Sequence, residues 1–460
     1  METRGDRREF LKLGAGLGAA VTMRGTGLLA GETSKPLDTV RVGFVGVGVK
    51  GSAHVGNLLH MEGVELRAVC DVREIQCAEA QRQAERLGKR PPTAYFRGER
   101  DFERLCAEEE LDLVYTATPW EWHVPVCLAA LNSGKHAATE VPAAITLEDC
   151  WNLVEASERS GKHCVMMENV NYRRDEMTIL NMVRKGLLGE LVHGEAGYRH
   201  DTRWLKIRDE GDGLWLGAHH AQRNGNLYPT HGLGPLAWYM NVNRGDRFDY
   251  LVSMSSNARG MNLYAREHLP QGHPKRERNY INGDVNSSLI RTVNGLTIVL
   301  THDTDLPRPY SRGNLVQGTR GIVQGFPEFK VCLEGDSHQH AWEPGSAYLE
   351  RHEHPYWKHV WEAGLGVVTN HPPIGPVLEG ATWDWRPERE RMSGDFLEDY
   401  RLIQALLKGI PPDYDVYDAA SWSAVTALSE ASVKDRSRPV DFPDFTRGKW
   451  KSAKPVEIEV

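Results

Sequence analysis

Residues 40–51 read Val40-Arg41-Val42-Gly43-Phe44-Val45-Gly46-Val47-Gly48-Val49-Lys50-Gly51, and this stretch decides the fold. An apolar run carried by Val42, Phe44, Val45 and Val47 leads into Gly46, Gly48 and Gly51, the spacing G-x-G-x-x-G directly after a predicted strand. Each glycine has its own task in such a turn. The first permits the tight bend, the second lets a pyrophosphate approach the backbone, and the third lets the following helix pack close to the strand. A second predicted strand, Val64 to Cys70, ends in Asp71, 20 residues past Gly51, where a ribose-binding carboxylate belongs. A carboxylate there repels a 2′-phosphate, so NAD is favoured over NADP, with Arg73 nearby as the one counter-signal.

Outward from this turn the pattern alternates. Helices are expected at Ser52 to His60, Arg73 to Leu87, Asp101 to Glu110, Val124 to Ser133 and Thr146 to Ser160. Strands are expected at Leu111 to Thr118, His136 to Glu140 and Lys162 to Met167. Strands separated by helices of this length form a parallel, doubly wound sheet, and ligands of such sheets sit outside the carboxyl ends of the strands. Gly46–Gly51, Asp71, Thr118–His123, Glu140 and Glu168–Asn169 all fall at those ends. After about Asn171 the intervening helices stop. Strands at Leu191 to Arg199, Tyr250 to Ser255, Asn286 to Val293, Leu296 to His302, Asn314 to Thr319 and Gly321 to Gln324 predict a mostly antiparallel open sheet. Residues 201–247, rich in Trp, His, Gly and Asn, read as a long irregular stretch, and helices are expected at Asp395 to Leu407 and Val416 to Ser432, the latter returning to the first domain. The fold class is therefore α/β. We expect a signal and linker at 1–35, a Rossmann domain at 36–170, an open-sheet α/β substrate domain at 171–435 and a C-terminal tail at 436–460.

The N-terminus carries Arg7-Arg8-Glu9-Phe10-Leu11-Lys12 followed by the Gly/Ala/Leu-rich segment Leu13 to Val21, the pattern of a twin-arginine export signal. It predicts a periplasmic or secreted protein. Cargo of that route crosses folded, so a nucleotide loaded in the cytoplasm travels inside it. A net charge of −8 without a long basic run excludes nucleic acid as the natural partner. No apolar stretch past the signal is long enough for a transmembrane span. The seven cysteines show no C-x-x-C spacing and are expected as buried thiols. His338, His340, His352, His354 and His359 fit no strong zinc pattern, so no metal is expected. Self-association is left open.

The Gly-rich turn, Cys70-Asp71, Thr118-Pro119 with His123, and the strand ending Glu140-Val141-Pro142 together resemble the glucose–fructose oxidoreductase / inositol dehydrogenase (Gfo/Idh/MocA) family. Three further blocks are similar to one branch of it, glycoside hydrolase family 109: Met166 to Arg174, Asn224 to Pro235 with its Tyr228-Pro229-Thr230-His231, and Asn243-Arg244-Gly245-Asp246. One departure matters: dehydrogenases of the broader family read Glu-Lys-Pro where this chain has Glu140-Val141-Pro142, so a lysine general base is missing.

The resemblance implies an NAD-dependent α-N-acetylgalactosaminidase acting on a small-molecule glycoside. Its implied route is oxidation at C3 of the sugar, elimination across C2 and C1, addition of water, and reduction, with the cofactor regenerated; NAD-dependent hydrolysis is a known exception to the two-carboxylate rule of glycosidases. It implies site roles for His231, Tyr228, Tyr172, Glu140 and Tyr310. His231 is the first choice for proton transfer because imidazole both takes and gives a proton near neutral pH. Gly46, Gly48, Gly51, Asp71, Thr118, Trp120, His123, Glu140 and Asn169 are the cofactor-binding candidates. Two other readings stand beside this one: a net NAD-dependent sugar dehydrogenase, against which Val141 counts, and an inactive sugar-binding protein, against which the set Glu140, Tyr172, Tyr228 and His231 counts.

Overall fold

The computed structural model describes residues 35–338, 340–362 and 394–459. The arginine pair at 7–8 and the segment 13–21, on which the export reading rests, lie outside the described residues. Among those residues no helix is long and apolar enough to cross a membrane.

Six strands form the first sheet: β1 (Val40–Val45), β2 (Val64–Cys70), β3 (Thr93–Tyr95), β4 (Leu113–Thr116), β5 (His136–Thr139) and β6 (Cys164–Met166). They are all parallel, in the order β3-β2-β1-β4-β5-β6. The helices α1 (Val49–Leu59), α2 (Glu74–Arg86), α3 (Asp101–Glu108), α4 (Trp120–Asn132) and α5 (Leu147–Ser160) connect them in turn. β3 was not anticipated: three residues at a sheet edge are too few to show a period. Both faces are covered, which is why β1 and β4 are mostly apolar, with Val42, Phe44, Leu113 and Tyr115 fully buried.

The register aligns the strand ends. Val45 pairs with Cys70 and Thr116, Thr116 with Thr139, and Thr139 with Met166. The next residues, Asp71, Gly46, Ala117, Glu140 and Met167, therefore stand in one row. The order reverses between β1 and β4, which makes the crevice above them the natural ligand position.

The second sheet has nine strands: β7 (Leu191–Arg199), β8 (Phe248–Ser255), β9 (Asn286–Thr292), β10 (Thr297–Asp303), β11 (Leu315–Gly318), β12 (Gly321–Gln324), β13 (Lys330–Leu333), β14 (Glu343–Pro344) and β15 (Val440–Asp441). Their order is β14-β13-β12-β11-β7-β10-β9-β8-β15, antiparallel except where β10 runs parallel to β7. β9 shows the period of a half-covered sheet: Asn286, Ser288, Ile290 and Thr292 are buried, and Ser287, Leu289 and Arg291 are exposed. Residues 436–460, set apart as a tail, supply β15 and pair it to β8.

Two late helices tie the sheets together. Helix Val416–Lys434 opens with a capping box between Asp415 and Asp418 and packs on β8, β6 and α5, so it returns to the first domain. Helix Gly394–Lys408 lies on α1 and on the turn Asn169–Tyr172 that follows β6.

The stretch 201–247 is not irregular. It holds the helices Arg203–Lys206, Leu216–Gln222 and Thr230–Tyr239. The last was masked by Gly232, Gly234 and Pro235, residues that argue against a helix on propensity. Its glycines serve close packing instead. A Cβ on Gly232 would stand 2.5 Å from the Gly197 nitrogen in β7, and one on Gly234 would stand 2.9 Å from the Glu168 Cγ. Side chains at these positions would lift the helix off the sheet.

Candidate active site

The Gly-rich turn has the shape its spacing demands. Gly46 has φ +81°, and a Cβ there would meet the Ala117 carbonyl oxygen at 2.8 Å. A Cβ on Gly51 would lie 1.9 Å from the Gly46 carbonyl oxygen, so α1 can cross the turn only with glycine. Gly48 differs. Among the described residues the one atom within 4 Å of its Cβ direction belongs to the Arg73 guanidinium, at 3.4 Å, which leaves its backbone open to a ligand. Asp71 accepts from the Val47 N–H at 3.1 Å and the Arg73 N–H at 2.9 Å, so its carboxylate is fixed beside the turn. A dinucleotide fits this cradle: open backbone at Gly48, a helix start behind it and an oriented carboxylate at its rim.

Next to the cradle stands a group of aromatic and proton-carrying side chains. Seating helix Thr230–Tyr239 on β7 brings the His231 Nδ1 to the Glu168 Oε1, at 2.7 Å. Glu168 is fully buried. The other ring nitrogen, Nε2, lies 3.4 Å from the Tyr228 hydroxyl, so the bend by which the chain enters the helix brings the two together. Tyr198, near the end of β7, packs on both, its ring centroid 4.5 Å from that of Tyr228 and 5.6 Å from that of His231. Tyr310 joins through Tyr198 at 6.1 Å and His200 at 5.2 Å. Trp120, at the start of α4, faces Tyr228 at 6.0 Å and meets Trp215 and His219 at 5.1 and 5.0 Å. The result is one aromatic wall running from the Rossmann half to the open sheet.

Charge states follow from this packing. Burial, Tyr198, and the charges of Glu140 and Glu168 push the Tyr228 phenol well above its ordinary value, so it keeps its proton. Burial also holds His200 down to about 4, a neutral imidazole. Burial alone would raise the Glu140 carboxyl, but Lys50 at 3.3 Å and the His54 Nε2 at 2.8 Å outweigh it and hold it at about 2. The site thus combines a fixed anion, a protonated phenol and an imidazole oriented by a carboxylate.

Residues 172–368 and 390–452 match the model of the glycosyl hydrolase 109 C-terminal domain, and residues 40–168 match the oxidoreductase family's NAD-binding Rossmann fold. A glycosyl hydrolase family 109 protein of Shewanella pealeana is 44% identical over 477 residues, covering 98% of this chain and 99% of the relative. The chain belongs to glycosyl hydrolase family 109. Another relative, the alpha-N-acetylgalactosaminidase of Shewanella oneidensis, is 43% identical over 473 residues with 98% of each chain covered. Among solved structures, levoglucosan dehydrogenase in complex with NADH and L-sorbose has a TM-score of 0.61 at 19% identity, covering 89% of this chain and 100% of that one. The WlbA dehydrogenase of Bordetella pertussis, in complex with NADH and UDP-GlcNAcA, has a TM-score of 0.60 at 15% identity, covering 89% and 99%. These likenesses are of fold. The molecule is thus an enzyme of the glycosyl hydrolase 109 family with an NAD-binding Rossmann domain.

Not every residue singled out from the sequence reaches the site. Tyr172 does not. Its hydroxyl donates to Asp413 at 2.7 Å, Arg401 grips the same carboxylate, and its ring is packed edge-on against Trp238 and Tyr414, with 2% of the residue exposed. His123 is also engaged within the protein: its two ring nitrogens lie 2.8 Å from the Pro142 and Thr118 carbonyl oxygens. It braces the loops after β4 and β5. Thr118, whose hydroxyl pairs with that of Thr116 at 2.9 Å, is held in place by that brace. Asn169 bonds Asp395, which ties the loop after β6 to helix Gly394–Lys408. Trp122, unlike Trp120, packs on Phe102.

Four participants had not been singled out as site residues: Glu168, Tyr198, Trp215 and His54. Glu168 stood at a predicted strand end, and Tyr198 lay in a predicted strand two residues before His200. Both positions were readable from the strand pattern. Trp215 and His54 gave no such signal.

Proposed function

We propose that this family 109 enzyme hydrolyses terminal N-acetylgalactosaminides by an oxidation–elimination–addition–reduction route with a resident NAD. The observation that carries the proposal is the His231 arrangement. Its imidazole is held at Nδ1 by buried Glu168 and presents Nε2 to the Tyr228 hydroxyl beside the NAD cradle. The kinship with the Shewanella oneidensis alpha-N-acetylgalactosaminidase supports the choice of sugar.

When bound, NAD⁺ would accept a hydride from the sugar's C3–H and later return it, the C3 hydroxyl proton leaving to solvent and coming back with it, and the proton transfers at C2 and C1 fall to the protein. With a ketone at C3, the C2–H becomes acidic. His231 Nε2 takes that proton while Glu168 holds the ring in the tautomer that leaves Nε2 free. Tyr228, kept protonated, donates to the departing oxygen at C1, and the phenolate so formed takes a proton back from the water that enters. Trp215, half-buried and packed edge-to-face on Trp120, offers an aromatic surface for stacking on the sugar or its aglycone. Glu140 keeps a negative charge at the cofactor edge. A cofactor that finishes as it began need never leave, which suits the export of a folded, loaded protein by the twin-arginine route.

The test uses purified protein without added NAD⁺ and the α- and β-p-nitrophenyl N-acetylgalactosaminides. Aglycone release with no net NADH is the expected result. Stoichiometric NADH without aglycone would replace the proposal with the sugar dehydrogenase reading. Substrate deuterated at C2 must lose its label to solvent; full retention removes the elimination step.

A further inference from the structure

Beneath the cofactor cradle lies a second, fully buried histidine. His54, on α1, has none of its surface exposed. Its Nδ1 sits 2.9 and 2.8 Å from the two oxygens of Asp399, and its Nε2 sits 2.8 Å from Glu140 Oε1. Asp399 comes from helix Gly394–Lys408, 345 residues along the chain, and is itself oriented by Asn57 at 2.8 Å. A neutral imidazole has one N–H and would leave one carboxylate facing a lone pair. An imidazolium satisfies both. We propose that His54, gripped by Asp399, is a positioning residue that fixes Glu140 as an oriented, charged carboxylate at the edge of the NAD site.

Every group facing the pair fits this role. Lys50 from the Gly-rich turn lies 3.3 Å from Glu140 and 2.8 Å from Asp395, so a second cation flanks the carboxylate. The Tyr115 hydroxyl, from β4, lies 3.2 Å from the His54 Nδ1, and its ring packs on the imidazole at 4.9 Å. Glu398 is 1% exposed with neither oxygen hydrogen-bonded among the described residues; burial and the neighbouring Asp395, Glu140 and Asp399 raise it well above the ordinary range, so it stays neutral. Glu140, His54 and Glu398 lie close enough to one another to hold a metal ion. Both His54 nitrogens are already engaged by carboxylates, however, and Lys50 supplies the positive charge. Burial alone would lower the His54 pKa; Asp399 outweighs it and raises it to about 9. Because the folded value lies above the ordinary one, the clamp is complete below about pH 6.5 and is lost as pH rises through about 9.

The inference rests on the proposed function only for the place of NAD, and its test needs no sugar. Holoenzyme is loaded with NADH, and the release rate is followed by nicotinamide fluorescence from pH 6 to 10. Glu140→Gln should speed release about tenfold, the factor that one net charged hydrogen bond is worth. His54→Gln should do the same, and the double variant should be no faster than either single one, because His54 acts through Glu140. The parent's release should accelerate as pH passes about 9, and His54→Gln should lack that rise. Asp399→Asn, the milder change, should move the rise down toward the ordinary histidine value of 6.5. Additive single effects, a parent-like pH profile in His54→Gln, or a Glu140→Gln protein that releases NADH no faster than the parent would each overturn the proposal. Loss of glycosidase activity elsewhere in the molecule would not bear on it.

Discussion

Two regions that set a histidine against a buried carboxylate, at His231 and at His54, do opposite things with it. At the aromatic wall, His231 leans its Nδ1 on Glu168 and leaves Nε2 toward the Tyr228 hydroxyl and the cleft. Under the cofactor cradle, His54 leans its Nδ1 on Asp399 and closes Nε2 on a second carboxylate, Glu140. One ring keeps a nitrogen available and can pass a proton. The other has none to spare and acts as a fixed charge. What separates a proton carrier from a brace is the third partner, not the histidine or its first carboxylate.

That contrast can be broken most severely at the open ring. His231→Ala should lower kcat on the p-nitrophenyl substrate by about a thousandfold, within the range of a lost general acid–base, while bound NAD per chain stays unchanged. A parent-like rate would remove His231 from the chemistry. Glu168→Gln should cost less, about a hundredfold in kcat, because the imidazole remains but its orienting charge is gone. Tm and NAD content in the same sample separate this from unfolding. Gly232→Ala attacks the seating of the helix that carries His231. Its new Cβ would press on the Gly197 backbone, so about 2 kcal/mol of stability should be lost, read as a lower Tm, with kcat falling as the ring is displaced. Trp215→Ala should have the smallest effect, about a fivefold rise in KM with kcat nearly unchanged, the pattern of lost stacking.

How far the sequence reveals each histidine differs for a physical reason. The Rossmann half is written locally: the glycine spacing at Gly46–Gly51 and the acid closing β2 lie within about thirty residues of one another, and each later strand is followed by its own short helix. The open sheet is also legible, since β9 alternates buried and exposed residues along its length. His231 and Tyr228 stood out because they share one short block. The helix that carries them did not, because Gly232, Gly234 and Pro235 obey a packing demand that reverses propensity. Tyr172 misled for the converse reason. It lies in a distinctive block, but its hydroxyl is claimed by Asp413, far along the chain, and no local pattern announces such a partner. His54 is hidden for the same cause, its partners being 86 and 345 residues away.

That last separation has a consequence for how the molecule is made. The six Rossmann strands leave the ribosome first and can fold early, as N-terminal units generally do. Asp399 and Asp395 emerge only after β7 to β14 of the open sheet have been synthesised, and only then do His54 and Lys50 acquire their second partners. The nucleotide pocket is begun early in the chain and completed late in it. A nascent chain can have its glycine turn in place while the histidine behind Glu140 is still ungripped, so firm retention of the cofactor reports that helix Gly394–Lys408 has docked.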